Sequence, residues 1–305
     1  MDISFELYKV FYYVATTLSF SEASRQLYIS QSAVSQSIKA LEQKLGHALF
    51  LRNKKKVTLT PEGESLLRHV EPAVNLLFEG ENQILNSPSL EAPLRIGASD
   101  TICRYFLIPY FKRFHREFPN VHIKVTNSTS GGCVSLLHNN RVDFIVANAP
   151  NPYLTSKDTC CVIREFQDIF VAGKRFFHLE EQPLSLAQLT QYPILMLDKT
   201  STTSGFLQQV FAKHGLSFTP EAELSSNDLL LDLAKIGLGI TAVPDYVLEH
   251  RKKEFYQLQI KENIPKRKLI LAYNPQLLTA PAAQKFLRYL VPETEKETDK
   301  IEPKK

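Results

Sequence analysis

Four polar side chains, Gln31, Ser32, Ser35 and Gln36, crowd the start of a stretch whose apolar residues Val34, Ile38, Leu41 and Leu45 fall at i, i+4, i+7 and i+11. That spacing predicts a helix with the apolar residues on one buried stripe and the polar four, followed by Lys39, on the other face. Amide and hydroxyl groups donate and accept hydrogen bonds at once. They suit base edges in a DNA major groove, where glutamine can pair bidentately with adenine and serine can bond to either kind of partner. A polar helix start on an ordinary three-helix bundle would carry the same residue types, and the periodicity alone leaves both readings open.

A second cluster, Arg52, Lys54, Lys55 and Lys56, falls where 48–52 and 56–59 read as two short strands with 53–55 as the turn between them. Lysines at a hairpin tip beside a recognition helix form a wing: each one that meets a phosphate adds salt-dependent affinity without reading sequence. A merely solvated turn explains three consecutive lysines less well. Residues 1–60 hold eight Lys/Arg against four Asp/Glu, whereas residues 61–90 hold one base against five acids. The net charge of +4 over 305 residues therefore conceals a compact basic head and an acidic segment behind it. Such a head is the usual electrostatic footprint of a nucleic-acid binder, although unrelated domains also carry it.

Other chemistries leave weaker traces. The eight histidines are scattered, and no HExxH, P-loop, GxSxG or GxGxxG stands in strand–helix context, so no catalytic residue, metal site or cofactor is expected. The cysteines Cys103, Cys133, Cys160 and Cys161 contain no CxxC pair and suit a reducing compartment. A thiol-based redox sensor working through Cys103 or Cys160/Cys161 is the sharper rival; buried cysteines acting as small hydrophobes are the plainer reading. A soluble solute-binding protein is a third option, weakened by the basic head. No apolar run approaches the roughly 20 residues that span a bilayer, and the first residues do not read as a secretory leader. A cytoplasmic location without membrane contact is expected.

The elements that must position these groups begin with a helix through Leu7, Val10, Phe11, Val14 and Leu18. A short second helix, capped near Ser19 or Ser21, runs to about Tyr28. Ser30 reads as the N-cap of the third and Gly46 as its stop. Thr60 and Pro61 open a long helix, whose Leu66, Val70, Ala73, Leu77 and Ile84 step in a heptad-like seam; about 25 residues would reach roughly 37 Å. Pro72 inside it predicts a bend or break near residues 70–72. Beyond Pro88 and Pro93, strands over 94–98, 121–126 and 142–147 alternate with helices over 102–118 and 134–139, and a second set follows from Ile169 to Val243. Alternation of this kind implies βαβ units and mostly parallel sheets.

One pattern runs through the head: Leu7, Phe11, Ser19-Phe20-Ser21, Ala23, Leu27, Ser30-Gln31-Ser32-Ala33-Val34-Ser35, Ile38, Leu41-Glu42, Leu45-Gly46, Leu49-Phe50, Arg52, then Leu59-Thr60-Pro61-Glu62-Gly63. It closely resembles the winged helix-turn-helix head of LysR-type transcriptional regulators, with two departures: Leu18 where that family often has glycine, and Ser24 where a second alanine is common. The runs 141–146 and 236–244 extend the resemblance, more loosely, to the family's effector domain, which looks like a type 2 periplasmic binding protein.

The resemblance implies an α/β protein overall, with a winged helix-turn-helix domain over 1–60, a linker and oligomerisation helix over 61–88, and a two-lobed effector domain over 93–292. The stretch 293–305, rich in Glu and Lys with almost nothing apolar, reads from its composition as a disordered tail. Lobe I would take about 93–167 and 267–292, and lobe II about 168–266. The DNA-contacting set would be Ser21, Gln31, Ser32, Ser35, Gln36, Lys39, Arg52, Lys54, Lys55 and Lys56. In such a bilobed fold a ligand sits between the lobes near the carboxyl ends of strands, which points to Ser99, Asp100, Thr101, Ser128, Thr129, Ser130, Asn148, Thr202 and Ser204. The implied partners are double-stranded DNA, a small polar or anionic effector, a second or further copy of the chain as dimer or tetramer, and RNA polymerase. Asp100 argues against a strong anion.

Overall fold

The structure, a computed structural model, describes residues 3–53, 56–85, 92–174, 179, 182–249 and 251–291. Contacts divide the chain into one unit built on Met1–Ser87 and a second that holds most of Pro88–Lys305. Lys54, Lys55, Pro88 and the expected tail over 293–305 lie outside the described residues.

In the first unit three helices, α1 (Phe5–Thr17), α2 (Phe20–Leu27) and α3 (Gln31–Leu45), are each started by a serine. Ser19 Oγ accepts from the Glu22 N–H at 3.2 Å and Ser30 Oγ from the Ala33 N–H at 3.2 Å, so each satisfies a donor that the helix itself leaves unpaired. All three helices stop in the left-handed region, at Leu18 (φ 49°), Tyr28 (φ 56°) and Gly46 (φ 72°). Only the last of these is the glycine that such a turn favours. Val10, Phe11, Val14, Val34, Ile38 and Leu41 meet in one core, where the Phe50 ring lies 5.5 Å from Phe11 and 5.8 Å from Phe20.

A hairpin follows, β1 (Phe50–Asn53) pairing antiparallel with β2 (Lys56–Leu59). Glu42 ties it to α3, its Oε1 accepting from the N–H groups of Leu49 at 2.7 Å and Phe50 at 3.3 Å. Thr60 Oγ1 then donates to the Ala48 carbonyl and accepts from the Gly63 N–H, which starts α4 (Pro61–Leu85). Of the bend or break expected at Pro72, the break does not occur: α4 is continuous through it. Proline removes one N–H bond, while Val70 and Val74 on either side are buried in the head's core and hold the helix in register.

The second unit holds two five-stranded sheets. In the first, β4 (Ile123–Asn127), β3 (Leu94–Ala98), β5 (Phe144–Ala149), β12 (Arg267–Tyr273) and β6 (Thr159–Phe166) lie side by side in that order. The second runs β11 (Phe255–Gln257), β7 (Asp168–Gly173), β10 (Ile240–Pro244), β8 (Ile194–Leu197) and β9 (Ala222–Leu224). Helices pack around them: α5 (Asp100–Ile102) passes through a π turn at Cys103–Leu107 into α6 (Ile108–Glu117), then come α7 (Ser130–His138), α8 (Leu186–Leu189), α9 (Thr202–Lys213), α10 (Asn227–Lys235), α11 (Asp245–Leu248) and α12 (Pro281–Leu290).

The sheets are not mostly parallel, as alternation had implied. β3, β4 and β5 pair in parallel, as do β8, β9 and β10, but β12 is antiparallel to both β5 and β6, and β7 to both β10 and β11. The antiparallel strands are those that carry the chain between sheets, at Gln167 between β6 and β7 and again ahead of Arg267. A direct strand-to-strand crossing needs no intervening helix, so nothing forces a parallel return.

Candidate functional site

Two places collect the residues singled out from the sequence. The first is the start of α3. Gln31, Ser32, Gln36 and Lys39 are exposed and Ser35 is half-buried, while Val34, Ile38 and Leu41 on the opposite stripe are fully buried. The polar face is therefore held from behind by a packed core. Ser32 Oγ lies 2.8 Å from Ser30 Oγ, which draws it toward the capped end. Ser21 is exposed in the first turn of α2, and its carbonyl accepts from Ser24 Oγ at 2.8 Å. β1 and β2 bring the backbone of Arg52 and Lys56 to the two sides of the hairpin whose tip would carry Lys54 and Lys55. Tyr28, in the turn between α2 and α3, was not singled out from the sequence, yet it is 95% exposed. A tyrosine in a three-residue turn just ahead of the capping Ser30 was the signal available for it.

The second place is a cavity of about 490 Å³ between the two sheets of the second unit, within the size range of metabolite sites. Ser99, Asp100, Thr101, Ser128, Thr129, Ser130, Asn148 and Thr202 all line it. Ser204 does not: it is buried, and its hydroxyl donates to the Leu197 carbonyl at 2.7 Å. Two residues beyond Thr202 at the start of α9, its side chain faces back over β8 instead of into the cavity.

The lining also includes Asp198, Ser226, Asn227 and Tyr246, which sequence reasoning passed over. Ser226 and Asn227 follow β9, a three-residue strand too short to register in the hydropathy pattern. Tyr246 follows β10 and lies beyond Val243, where the second set of expected elements stops. Four helices begin at the cavity, and each is already capped by a hydroxyl: Ser99 takes the Ile102 N–H, Thr129 the Gly132 N–H, Ser201 the Thr203 N–H and Ser226 the Leu229 N–H.

Side chains bridge the lobes at its margin. Asn227 Nδ2 donates to Thr101 Oγ1 at 2.9 Å, the Tyr105 hydroxyl donates to Asp228 Oδ1 at 2.5 Å, and Arg104 lies 3.3 Å from the other Asp228 oxygen. Burial, with Asp228 accepting the bond, pushes the Tyr105 phenol up to about 12, so it remains a donor at neutral pH. Deeper, Arg267 is fully buried against an equally buried Asp168, at 2.8 Å. Its guanidinium also donates to Thr203 Oγ1 at 2.9 Å and Thr202 Oγ1 at 3.2 Å. Asp168 opens β7 and Arg267 opens β12, so the pair joins the first residues of the strands that follow the two crossings between the sheets.

Burial works against thiolate formation at three of the four cysteines. Burial pushes Cys103 up to about 11, with Asp100 adding to it, Cys133 up to about 12 and Cys160 up to about 11. The reactive species is the thiolate, and these groups are thiols at neutral pH. Among the described residues, no group of three or more His, Cys, Asp or Glu could hold a metal ion, and no helix is long and apolar enough to cross a membrane.

Comparison with known proteins bears on both places. Residues 5–64 match the family model described as bacterial regulatory helix-turn-helix protein, lysR family, and residues 88–295 match the LysR substrate binding domain. A transcriptional activator, CmpR, from Synechocystis is 26% identical over 93% of this chain and 93% of its own. A RuBisCO operon transcriptional regulator from Allochromatium vinosum is 24% identical over 96% and 97%. Among solved structures, a full-length OxyR variant from Pseudomonas aeruginosa superposes with a TM-score of 0.68 at 18% identity, covering 94% of each chain. Full-length CbnR in complex with its target DNA gives 0.54 at 17% identity, over 94% of this chain and 98% of that one. These two similarities concern the fold.

Proposed function

We propose, for a chain that belongs to the LysR family of bacterial transcriptional regulators, that the α3 face reads operator DNA and that occupancy of the cavity controls regulation. The observation that carries the DNA reading is the exposed amide and hydroxyl face of α3, mounted on the fully buried Val34, Ile38 and Leu41. A rigid helix that presents Gln31, Ser32, Ser35 and Gln36 in its first turns has what a recognition helix needs to reach base edges. Ser21, Lys39, Arg52, Lys54, Lys55 and Lys56 supply phosphate contacts, which position the head and carry the salt dependence. On α4, Leu77 and Ile84 stand seven residues apart and are both exposed, a seam that suits pairing with a second copy of the chain. The DNA-bound oligomer would then act on RNA polymerase.

Gel shift with the DNA upstream of the protein's own gene tests this. Specific retardation at moderate salt is expected, and Gln31→Ala should lose about 1–3 kcal/mol of discrimination against random DNA. Lys55→Ala should weaken binding to all sequences alike and flatten the salt slope. Equal losses on specific and random DNA for Gln31→Ala would remove the base-reading role.

A further inference from the structure

The hydrogen-bond balance of the cavity favours one ligand chemistry. The inference rests on the effector reading above and deepens it. Among the described residues, three buried oxygens at the cavity have no hydrogen-bond partner, Asn227 Oδ1, Asn148 Oδ1 and the Tyr246 hydroxyl, and a fourth, Asp198 Oδ2, belongs to a half-buried carboxylate at the wall. Asn227 is 7% exposed and Tyr246 1%, so neither can turn to bulk water, and a buried polar atom left unmade is costly. The Asn227 amide is fixed in orientation because its Nδ2 already donates to Thr101 Oγ1. Asp198 is likewise oriented: its Oδ1 accepts from both the N–H and the hydroxyl of Thr200, which leaves Oδ2 for a ligand. Three of the four are acceptors only, and the fourth can accept.

Charge points the same way. The carboxylates at the cavity wall are those of Asp100 and Asp198, and among the described residues no Lys, Arg or His lines it. Arg267, a buried cation that is not among the lining residues, turns its two terminal nitrogens to Asp168, Thr202 and Thr203 and leaves only its Nε without a partner. The helix starts that would otherwise draw an anion have each given one N–H to a capping hydroxyl, as described above. The unmet demand is for donors and positive charge, while the remaining first-turn N–H groups can take a carboxylate on the same molecule.

We infer that the effector is a small primary ammonium compound, its amine seated among Asp198 Oδ2, Asn227 Oδ1 and Tyr246. An ammonium offers three donors from one centre, which matches this arrangement better than a hydroxyl or an amide can. Amino acids and diamines share that chemistry. They differ in whether the far end is a carboxylate turned to the helix starts or a second amine near Asp100.

Thermal shift of the full-length protein against three sets of compounds tests the inference: L-amino acids, aliphatic diamines, and the 2-oxo or hydroxy acids that correspond to the amino acids with the amine replaced. Stabilisation by an amine, with at least tenfold weaker binding of its deaminated counterpart, is the expected result; the amino acid and diamine arms identify the source. Asp198→Asn, which keeps the Oδ1 acceptor for Thr200 and so the local turn, should unfold at the wild-type temperature without ligand yet weaken amine binding tenfold or more. Asn227→Asp should tighten it. Stabilisation by the deaminated acids alone, or amine binding unchanged in Asp198→Asn, overturns the inference while leaving the effector reading intact. No response to any of the three sets overturns the inference and counts against the effector reading as well.

Discussion

Replacing Arg267 by methionine tests the buried joint between the two sheets. Methionine keeps much of the apolar stem but removes the guanidinium, and with it the bonds to Asp168 at 2.8 Å, Thr203 at 2.9 Å and Thr202 at 3.2 Å. The Asp168 side chain is wholly inaccessible, so the carboxylate is left charged, unpaired and out of reach of water. Removing one partner of such a pair costs about 3–5 kcal/mol; for a unit of about 200 residues that is a fall in Tm on the order of 6–20 °C. The sign of the pH dependence follows from Asp168. Burial already raises its carboxyl above the ordinary range, with Arg267 pulling it down. Without Arg267 burial acts unopposed, the carboxyl rises further, and protonation relieves the fold. A group raised in the folded state contributes stability that is fully present below its unfolded value and lost as pH rises through the folded one. The defect should therefore be largest near neutral pH and shrink toward about pH 5. Urea unfolding at both pH values, followed by circular dichroism because the chain has no tryptophan, measures it. A loss below about 1 kcal/mol at neutral pH, or one that does not change with pH, would refute the argument. The double variant Asp168→Leu with Arg267→Met should regain most of the loss, since apolar groups of similar volume often replace a buried pair without penalty.

Two left-handed helix ends should respond in opposite directions to substitution. Leu18 (φ 49°) is 41% exposed, so Leu18→Gly should raise the stability of the head by about 0.5–1 kcal/mol, whereas Gly46→Ala (φ 72°, with nothing within 4 Å of the added Cβ) should lower it by about 1 kcal/mol; thermal unfolding scores both. Glu42→Ala leaves the Leu49 and Phe50 N–H groups without their acceptor and should cost about 1–3 kcal/mol in the same measurement. At about pH 8 the raised Cys103, Cys133 and Cys160 thiols should react with iodoacetamide far more slowly in the native protein than after denaturation; rapid native labelling of Cys103 would revive the redox reading.

Where local chemistry decides structure, residue types were enough. Ser30 and Gly46 bound α3 in the sequence and in the fold because capping is a contact among neighbours. Val34, Ile38 and Leu41 lie on the buried stripe their spacing defines. Of the bend or break that Pro72 predicts, no break occurs, and Val70 and Val74 on either side of it are buried in the head's core. Ser204 looked like its neighbour Thr202, yet which way each points depends on the turn of α9 and on the Leu197 carbonyl across from it.

The amino-acid sequence by itself determined the α3 helix and its polar face, the family, and the polar clusters after β3, β4 and β8, all written in contiguous residues. Only the tertiary structure decided that Asp198, Asn227 and Tyr246 share a cavity with Thr101 and Asn148, and that Asp168 meets Arg267 ninety-nine residues further along the chain. Those residues come from strands, loops and helix starts that lie far apart along the chain. Which oxygens are left without a donor depends on how the sheets close over one another, and spacing along a single chain does not carry that information.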